Sequence, residues 1–308
     1  MTGEPFTIIP AGPFSLAEAA SFGFGQRDAR ERDSWDGVMR LAFCLDSYQG
    51  YAGVELRQDA AGVVHGRIHG AADAGAVTRQ VARVLSLDHD GTGFERIGAR
   101  DPVIGRLQAA APGLRPPLFY SPYEAAVWSV LSARRPARQM MSVRRRLSET
   151  HGAAFELAGE RLAALPSPTR LLALGSFPGI PADKMFRLHD VARAALAGKL
   201  DAERLTALGP ERSMTDLQQI SGIGPFYSAL IVIRATGFAD VLPISEPKVL
   251  DLTARLYDLD DPPGPARFTQ IAQAWRPFRT WVCVLIRAAG PRLVIPEPAL
   301  VTSPATRC

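Results

Sequence analysis

Residues 217–229 read Leu217-Gln218-Gln219-Ile220-Ser221-Gly222-Ile223-Gly224-Pro225-Phe226-Tyr227-Ser228-Ala229, a run able to hold a phosphate. One helix ends, a Gly-Ile-Gly turn reverses the chain, and a second helix begins. Gly222 and Gly224 are both expected to take left-handed backbone angles and to let another molecule come close. Ile223 is expected to point back as an apolar pin. The amides after Gly224 stand at a helix start, where free N–H groups and the helix dipole favour an anion. Pro225 suits the first helical position, which needs no N–H. A bare Gly-x-Gly would read as an ordinary helix corner. The full string L-x-x-I-x-G-I-G-P-x-x-x-A shifts the reading to phosphate contact.

A second group that could meet phosphates is an arginine run. Arg134, Arg135, Arg138, Arg144, Arg145 and Arg146 fall within 13 residues, and no acid follows until Glu149. Such a run is either a phosphate patch or a solvated helix face. The net charge of +4 is modest, and Lys184, Lys199 and Lys248 are the only lysines. Cys44, Cys283 and Cys308 are odd in number and far apart, so neither a disulfide framework nor a zinc or iron–sulfur site is expected. The histidines form no HxxxH or HExxH pattern; His65 and His69 read as surface residues of a strand. No cofactor and no metal are expected.

These groups need elements to hold them. The first hundred residues carry short β-type runs at FTIIPAG, RLAFCLDS, YAGVELRQ and GVVHGRIHG, with turn residues between them. AGAVTRQVARVLSL then shows Val77, Val81, Val84 and Leu85 at helical spacing. From about residue 100 the pattern is helical. Asp101 and Ser121 read as N-caps, the latter in the capping box Ser121-Pro122-Tyr123-Glu124. Further helices are expected over 138–152, 167–175, 181–198, 214–220, 225–237, 247–259 and, unbroken, 265–290. The fold class is α+β: an N-terminal antiparallel β-sheet domain with helices over residues 1–100, an all-α domain over 101–290, and a proline-rich tail over 291–308. With 47% hydrophobic residues the chain can bury a sizeable core. No apolar stretch reaches the length of a membrane span, and the start lacks a secretory pattern, so a cytoplasmic protein is expected.

The 217–229 string resembles the helix-hairpin-helix of many DNA-binding proteins. Beyond it, Asp240-Val241-Leu242-Pro243 followed by Glu246 is similar to the D-x-x-P run, and the acid three residues after its proline, of the 3-methyladenine DNA glycosylase II (AlkA-like) group. SPYEAAVWSVLSARR resembles that group's helix before a DNA-intercalating loop. GSFPGIPADKMFRLHDVARA resembles its G-x-x-x-x-K-x-x-x-L helix, and AQAWRPFRTWVCVLIRAAG its last helix. The resemblance spans residues 1 to about 290.

It implies a helix-hairpin-helix glycosylase domain at 101–290 and double-stranded DNA carrying a damaged base as the partner, bound by a monomer. It makes Glu246, 22 residues after Gly224 (246 − 224), the catalytic carboxylate beside the sugar C1′. Gly222, Ile223, Gly224, Pro225, Arg134, Arg135 and Arg138 would contact DNA, with Arg134 in the slot of the intercalating wedge. Phe226, Leu230 and Arg287 would line the base pocket. Phe226 stands where bifunctional relatives carry a lysine nucleophile, which implies hydrolysis without strand cleavage. Asp240 corresponds to a structural aspartate, Asp251 should face outward, and Tyr227 and Trp281 read as core. Four departures stand out. The group's wedge is apolar, and Arg134 in its slot either fills the gap by stacking or makes a plain phosphate contact. The group's catalytic aspartate is a glutamate here. Its stacking tryptophan is Arg287. Leu230 fills a slot that is aromatic in some relatives. The alternative is a non-catalytic, damage-sensing DNA-binding protein on the same fold.

Overall fold

Period-two alternation in the first seventy residues closes into an antiparallel sheet. The computed structural model describes residues 3–22 and 35–294. Strands β1 (Glu4–Ile8), β2 (Met39–Cys44), β3 (Tyr51–Gln58) and β4 (Val64–His69) form one sheet in the order β1-β4-β3-β2. Leu41 lies opposite Val54, and Val54 opposite Ile68, so their side chains share one face. Helices α1 (Leu16–Phe22) and α2 (Ala74–Val84) cover that face, with Val77, Val81 and Val84 fully buried.

The chain then runs through α3 (Glu95–Arg100), α4 (Pro102–Ala110), α5 (Pro122–Ser132) and α6 (Ala137–His151). A hairpin, β5 (Ala153–Leu157) and β6 (Glu160–Ala164), comes next, followed by α7 (Pro168–Leu172), α8 (Ala182–Leu196), α9 (Ala202–Leu208) and α10 (Pro210–Leu217). The last helices are α11 (Pro225–Ala235), α12 (Pro247–Leu256), α13 (Pro265–Ile271) and α14 (Arg279–Leu293). Side chains of Asp73, Asp101, Ser121, Ser167, Asp201 and Glu246 each accept a first-turn N–H, which sets six of these helix starts.

Neither α9 nor the β5–β6 hairpin is among the elements expected from the sequence. The hairpin packs on the second face of the main sheet, which is why every residue of β2 is buried. A Cβ on Gly53 would lie 2.6 Å from the Phe155 ring. Arg40, 7% exposed, donates to Leu157 O and Ala158 O, and Glu55 accepts from Ala158 N–H. Residues from beyond position 150 thus complete the packing of a sheet made before position 70.

Two further cores follow. One joins α5, α6, α8, α10 and α11 through residues such as Tyr123, Leu147, Leu188, Leu217 and Ile231. The other joins α3, α4, α12, α13 and α14 around Trp275 and Trp281. Asp101, which caps α4, also accepts from Trp275 Nε1 and Tyr257 Oη. Residue 100 therefore lies between two helices that share one core. Arg115 is 1% exposed, donates to the carbonyls of Pro13, Ser86 and His89, and lies over the Trp281 ring, tying the sheet region to the helices.

The helix expected over 265–290 is not continuous. After α13 and a 3-10 turn at Ala272–Trp275 the chain passes a cis Arg276–Pro277 bond, and α14 starts at Arg279. Pro277 has no N–H to donate and Arg276 before it is extended, the conformation a following proline favours, so the helix stops there. The tail expected from 291 begins later, because α14 includes Pro291 and runs to Leu293; residues 295–308 lie outside the described residues.

Candidate active site and nucleic-acid interface

The hairpin joins α10 to α11. Leu217, Ile220 and Ile223 are buried in the helical core, so Ile223 anchors the turn from inside. Gly222 has φ +88°, the left-handed region that glycine adopts freely. Gly224 corrects the expectation: its φ is −88°, extended backbone that any residue adopts. What glycine supplies there is space, since no atom lies within 4 Å of where its Cβ would be. Gly224 is the N-cap of α11 and carries no capping side chain, leaving first-turn N–H groups facing outward beyond Pro225.

Helix α8 links this turn to the arginine loop. The Arg187 side chain packs against Gly222, so close that a Cβ there would meet its Cδ at 2.9 Å. Three residues earlier, one helical turn away, Lys184 Nζ donates to the carbonyls of Val130, Leu131 and Ala133 at 2.9, 2.6 and 2.8 Å. It satisfies the free carbonyls at the end of α5. Burial, then the charge of Arg135, holds its pKa below the ordinary lysine value. Directly after this clamp come exposed Arg134, with φ +54°, and exposed Arg135; Arg138 is exposed in the first turn of α6. Neither Lys184 nor Arg187 stood out from the sequence as a site residue, although Lys184 is one of only three lysines.

The arginine patch is smaller than its sequence suggests. Arg144 points inward, 7% exposed, and its Nη2 donates to Glu124 Oε2 at 2.6 Å. Glu124 is fully buried, and it pairs with Arg144 while Ser121 alone caps α5. Arg145 and Arg146 remain exposed on α6.

The loop carrying Glu246 is strapped to the start of α14. Asp240 accepts from the backbone N–H, Nε and Nη2 of Arg279, and from Arg276. Thr280 N–H donates to Ala239 O, and Val241 N–H donates to Thr280 Oγ1. Glu246 then caps α12. Its Oε2 accepts from Val249 N–H at 2.6 Å, and its Oε1 accepts from Arg287 Nη1 at 2.5 Å. Both carboxylate oxygens are therefore held. The side chains are 24% and 36% exposed, so the pair faces partly into solvent.

The structure thus brings Glu246 and Arg287 together. Phe226 and Leu230 lie one turn apart on α11. Phe226 is 54% exposed with its ring edge-on to Tyr227, and Leu230 is half-buried. Trp281 is core, packed on Phe94 and Phe278, and Asp251 is exposed. One turn before Arg287, Cys283 is buried, and burial pushes its thiol pKa well up, with the Glu246 charge adding to the effect. Half-buried Arg234 of α11 donates to Pro117 O; desolvation of its guanidinium, then the Arg287 charge, lowers its pKa to about 10.

No protein-family model matches the chain. Among known proteins, a DNA-3-methyladenine glycosylase of Bacillus subtilis is 22% identical over 211 residues, which is 67% of this chain and 69% of that one. DNA-3-methyladenine glycosylase 2 of Escherichia coli is 31% identical over 194 residues, 59% of this chain, and the match spans 63% of that protein's length. Among solved structures, the 3-methyladenine DNA-glycosylase of Archaeoglobus fulgidus superposes with a TM-score of 0.75 at 17% identity, covering 93% of this chain and 98% of that one. The hairpin string, the sheet-plus-helix architecture and these similarities agree: the chain is similar in sequence to DNA-3-methyladenine glycosylases and shares the fold of the Archaeoglobus fulgidus enzyme.

Proposed function

We propose that the protein is a monofunctional DNA N-glycosylase that hydrolyses the glycosidic bond of alkylated, 3-methyladenine-type bases in duplex DNA, working as a monomer in the cytoplasm. The observation that carries this is Glu246: a carboxylate with both oxygens held, on a loop strapped to α14, in the slot where the family keeps its catalytic acid. The damaged nucleotide leaves the stack for a pocket lined by Phe226, Leu230 and Arg287. The hairpin amides at Gly222–Pro225 and the arginines at 134, 135 and 138 hold phosphates on either side, with Arg187 beside the hairpin adding charge. Arg134 fills the vacated space. Water attacks C1′ as the base departs, and Glu246 stabilises the positive charge on the sugar and orients the water. Phe226 offers no amine, so no covalent sugar adduct forms and the strand stays intact. The four-stranded sheet and the helices on it serve as a platform for the helical body that carries the site. No described helix is long and apolar enough to cross a membrane.

The test is single-turnover incubation with duplexes carrying one alkylated purine. The expected result is base release and abasic sites that break only after alkali. Strand breaks before alkali would argue for a lyase. No release, with duplex binding intact, would favour the damage sensor, a reading that draws on Glu246 acting as a helix cap already neutralised by Arg287.

The hairpin gives a separate expectation. Gly222→Val forces a branched residue into φ +88° and against Arg187. It should cost about 1–2 kcal/mol of stability and weaken duplex binding at least about tenfold, with lesser weakening for any phosphate contact outside the hairpin. Fluorescence anisotropy at fixed salt, on undamaged duplex, measures it. Unchanged affinity would remove the hairpin from the interface.

A further inference from the structure

The charges around Glu246 are unbalanced. Arg287 Nη1 is bonded to its Oε1, Lys248 is exposed two residues on, and Arg234 lies within range of Arg287. Asp251, the next acid along α12, is exposed one turn further on. A carboxylate that touches the sugar therefore brings a fixed guanidinium with it, and Arg287 then stands beside the departing base. Arg287 uses Nη1 on Glu246, and a guanidinium has five N–H groups in a planar fork, so donors remain for a base edge.

Leaving-group charge decides whether that cation helps. In hydrolysis the water oxygen bonds to C1′ and the C1′–N bond breaks, its electron pair going to the base nitrogen. The water proton passes to Glu246 or to solvent. A purine alkylated to a cation starts with positive charge and departs neutral. A fixed guanidinium repels it on entry, and that repulsion is only relieved as the bond breaks, so measured from free enzyme and duplex the cation gives its transition state no net stabilisation. A neutral damaged base departs as an anion, which takes its proton from solvent afterwards. A guanidinium stabilises that developing charge and can donate to a carbonyl oxygen or an unprotonated ring nitrogen.

We propose that Arg287 is a specificity-determining residue, and that the site prefers damaged bases that are electrically neutral and carry an acceptor atom over cationic N-alkyl purines. The preference rests on the glycosylase reading above and, within its alkylated bases, ranks neutral ones ahead of the cationic N-alkyl purines, 3-methyladenine among them. In a partly screened site, one fixed charge beside the base changes the ratio of the two second-order rates by at least about tenfold.

The experiment compares single-turnover base release at sub-saturating enzyme, which reads the second-order rate, from two duplexes of one sequence. One carries 7-methylguanine, which is cationic. The other carries 1,N6-ethenoadenine, which is neutral. Wild type, Arg287→Lys and Arg287→Met are measured. Both variants also loosen Glu246, so absolute rates fall and the ratio of neutral to cationic release is the readout. Arg287 is 36% exposed, and the variants should fold. The expected result is a ratio that falls at least about tenfold in Arg287→Met and is largely kept in Arg287→Lys, which retains the charge. A ratio that Arg287→Met leaves unchanged or raises overturns this proposal alone. Release from neither duplex by the wild type overturns the glycosylase reading, and this proposal with it.

Discussion

Glu246→Gln should slow single-turnover base release by at least about 100-fold and leave duplex affinity within about twofold. Glutamine keeps the length and shape of the side chain, and its amide oxygen can still accept from Val249 N–H. What is lost is the negative charge proposed to stabilise the sugar cation. The structural cost is small by comparison. A weaker N-cap costs about 1 kcal/mol, and an ion pair as exposed as Glu246–Arg287 adds little to stability. A rate loss of tenfold or less, with the protein folded, would leave Glu246 a helix cap and hand the chemistry to another group. Glu246→Asp sharpens the test. Aspartate caps α12 at least as well, but its carboxylate falls one methylene short of Arg287. Its rate should lie between wild type and Glu246→Gln.

Arg144→Met should lower stability by about 3–5 kcal/mol, because it strands the fully buried Glu124 carboxylate. For a chain of this size the melting temperature should fall by roughly 6–15 °C. The double variant Glu124→Gln/Arg144→Met removes both charges and should recover at least about half of the loss, which a double-mutant cycle measures. If the double variant is no better than Arg144→Met, the loss comes from packing. The pH dependence has a definite sign. Burial raises the Glu124 pKa above the ordinary glutamate value, with Arg144 opposing. A carboxyl whose folded pKa is raised contributes stability below its unfolded pKa and loses that contribution as the pH rises through the folded value. Removing Arg144 enlarges the shift. The deficit of Arg144→Met should therefore shrink as the pH is lowered towards about 4.3, the unfolded glutamate value.

Arg144 also shows where reading the chain by itself stops. Within its run it looks like one more surface cation, because the nearest acid in sequence is Glu149. Its partner is 20 residues earlier on the preceding helix. Arg287 is similar: the resemblance places it in a base pocket, but its bond to Glu246, 41 residues away, is set by how α12 and α14 pack. Lys184 looked like one member of a helix motif until the end of α5 came to rest on it. The β5–β6 hairpin has weak alternation of its own and is held by Gly53, Arg40 and Glu55, about a hundred residues earlier.

The sequence by itself determined the local parts: the four strands, the caps and prolines that start the helices, the hairpin string, and the loop that presents Glu246. Each depends on backbone angles and hydrogen bonds within a few residues, so residue type and spacing specify it. The tertiary structure alone decided which charges are buried, which pair off, and which face outward. Those outcomes depend on water being excluded where distant helices pack, and desolvation sets a charge's fate only once its surroundings are built. Glu246 belongs to both. Its place in the loop is legible in the chain, and its neutralising partner exists only in the fold.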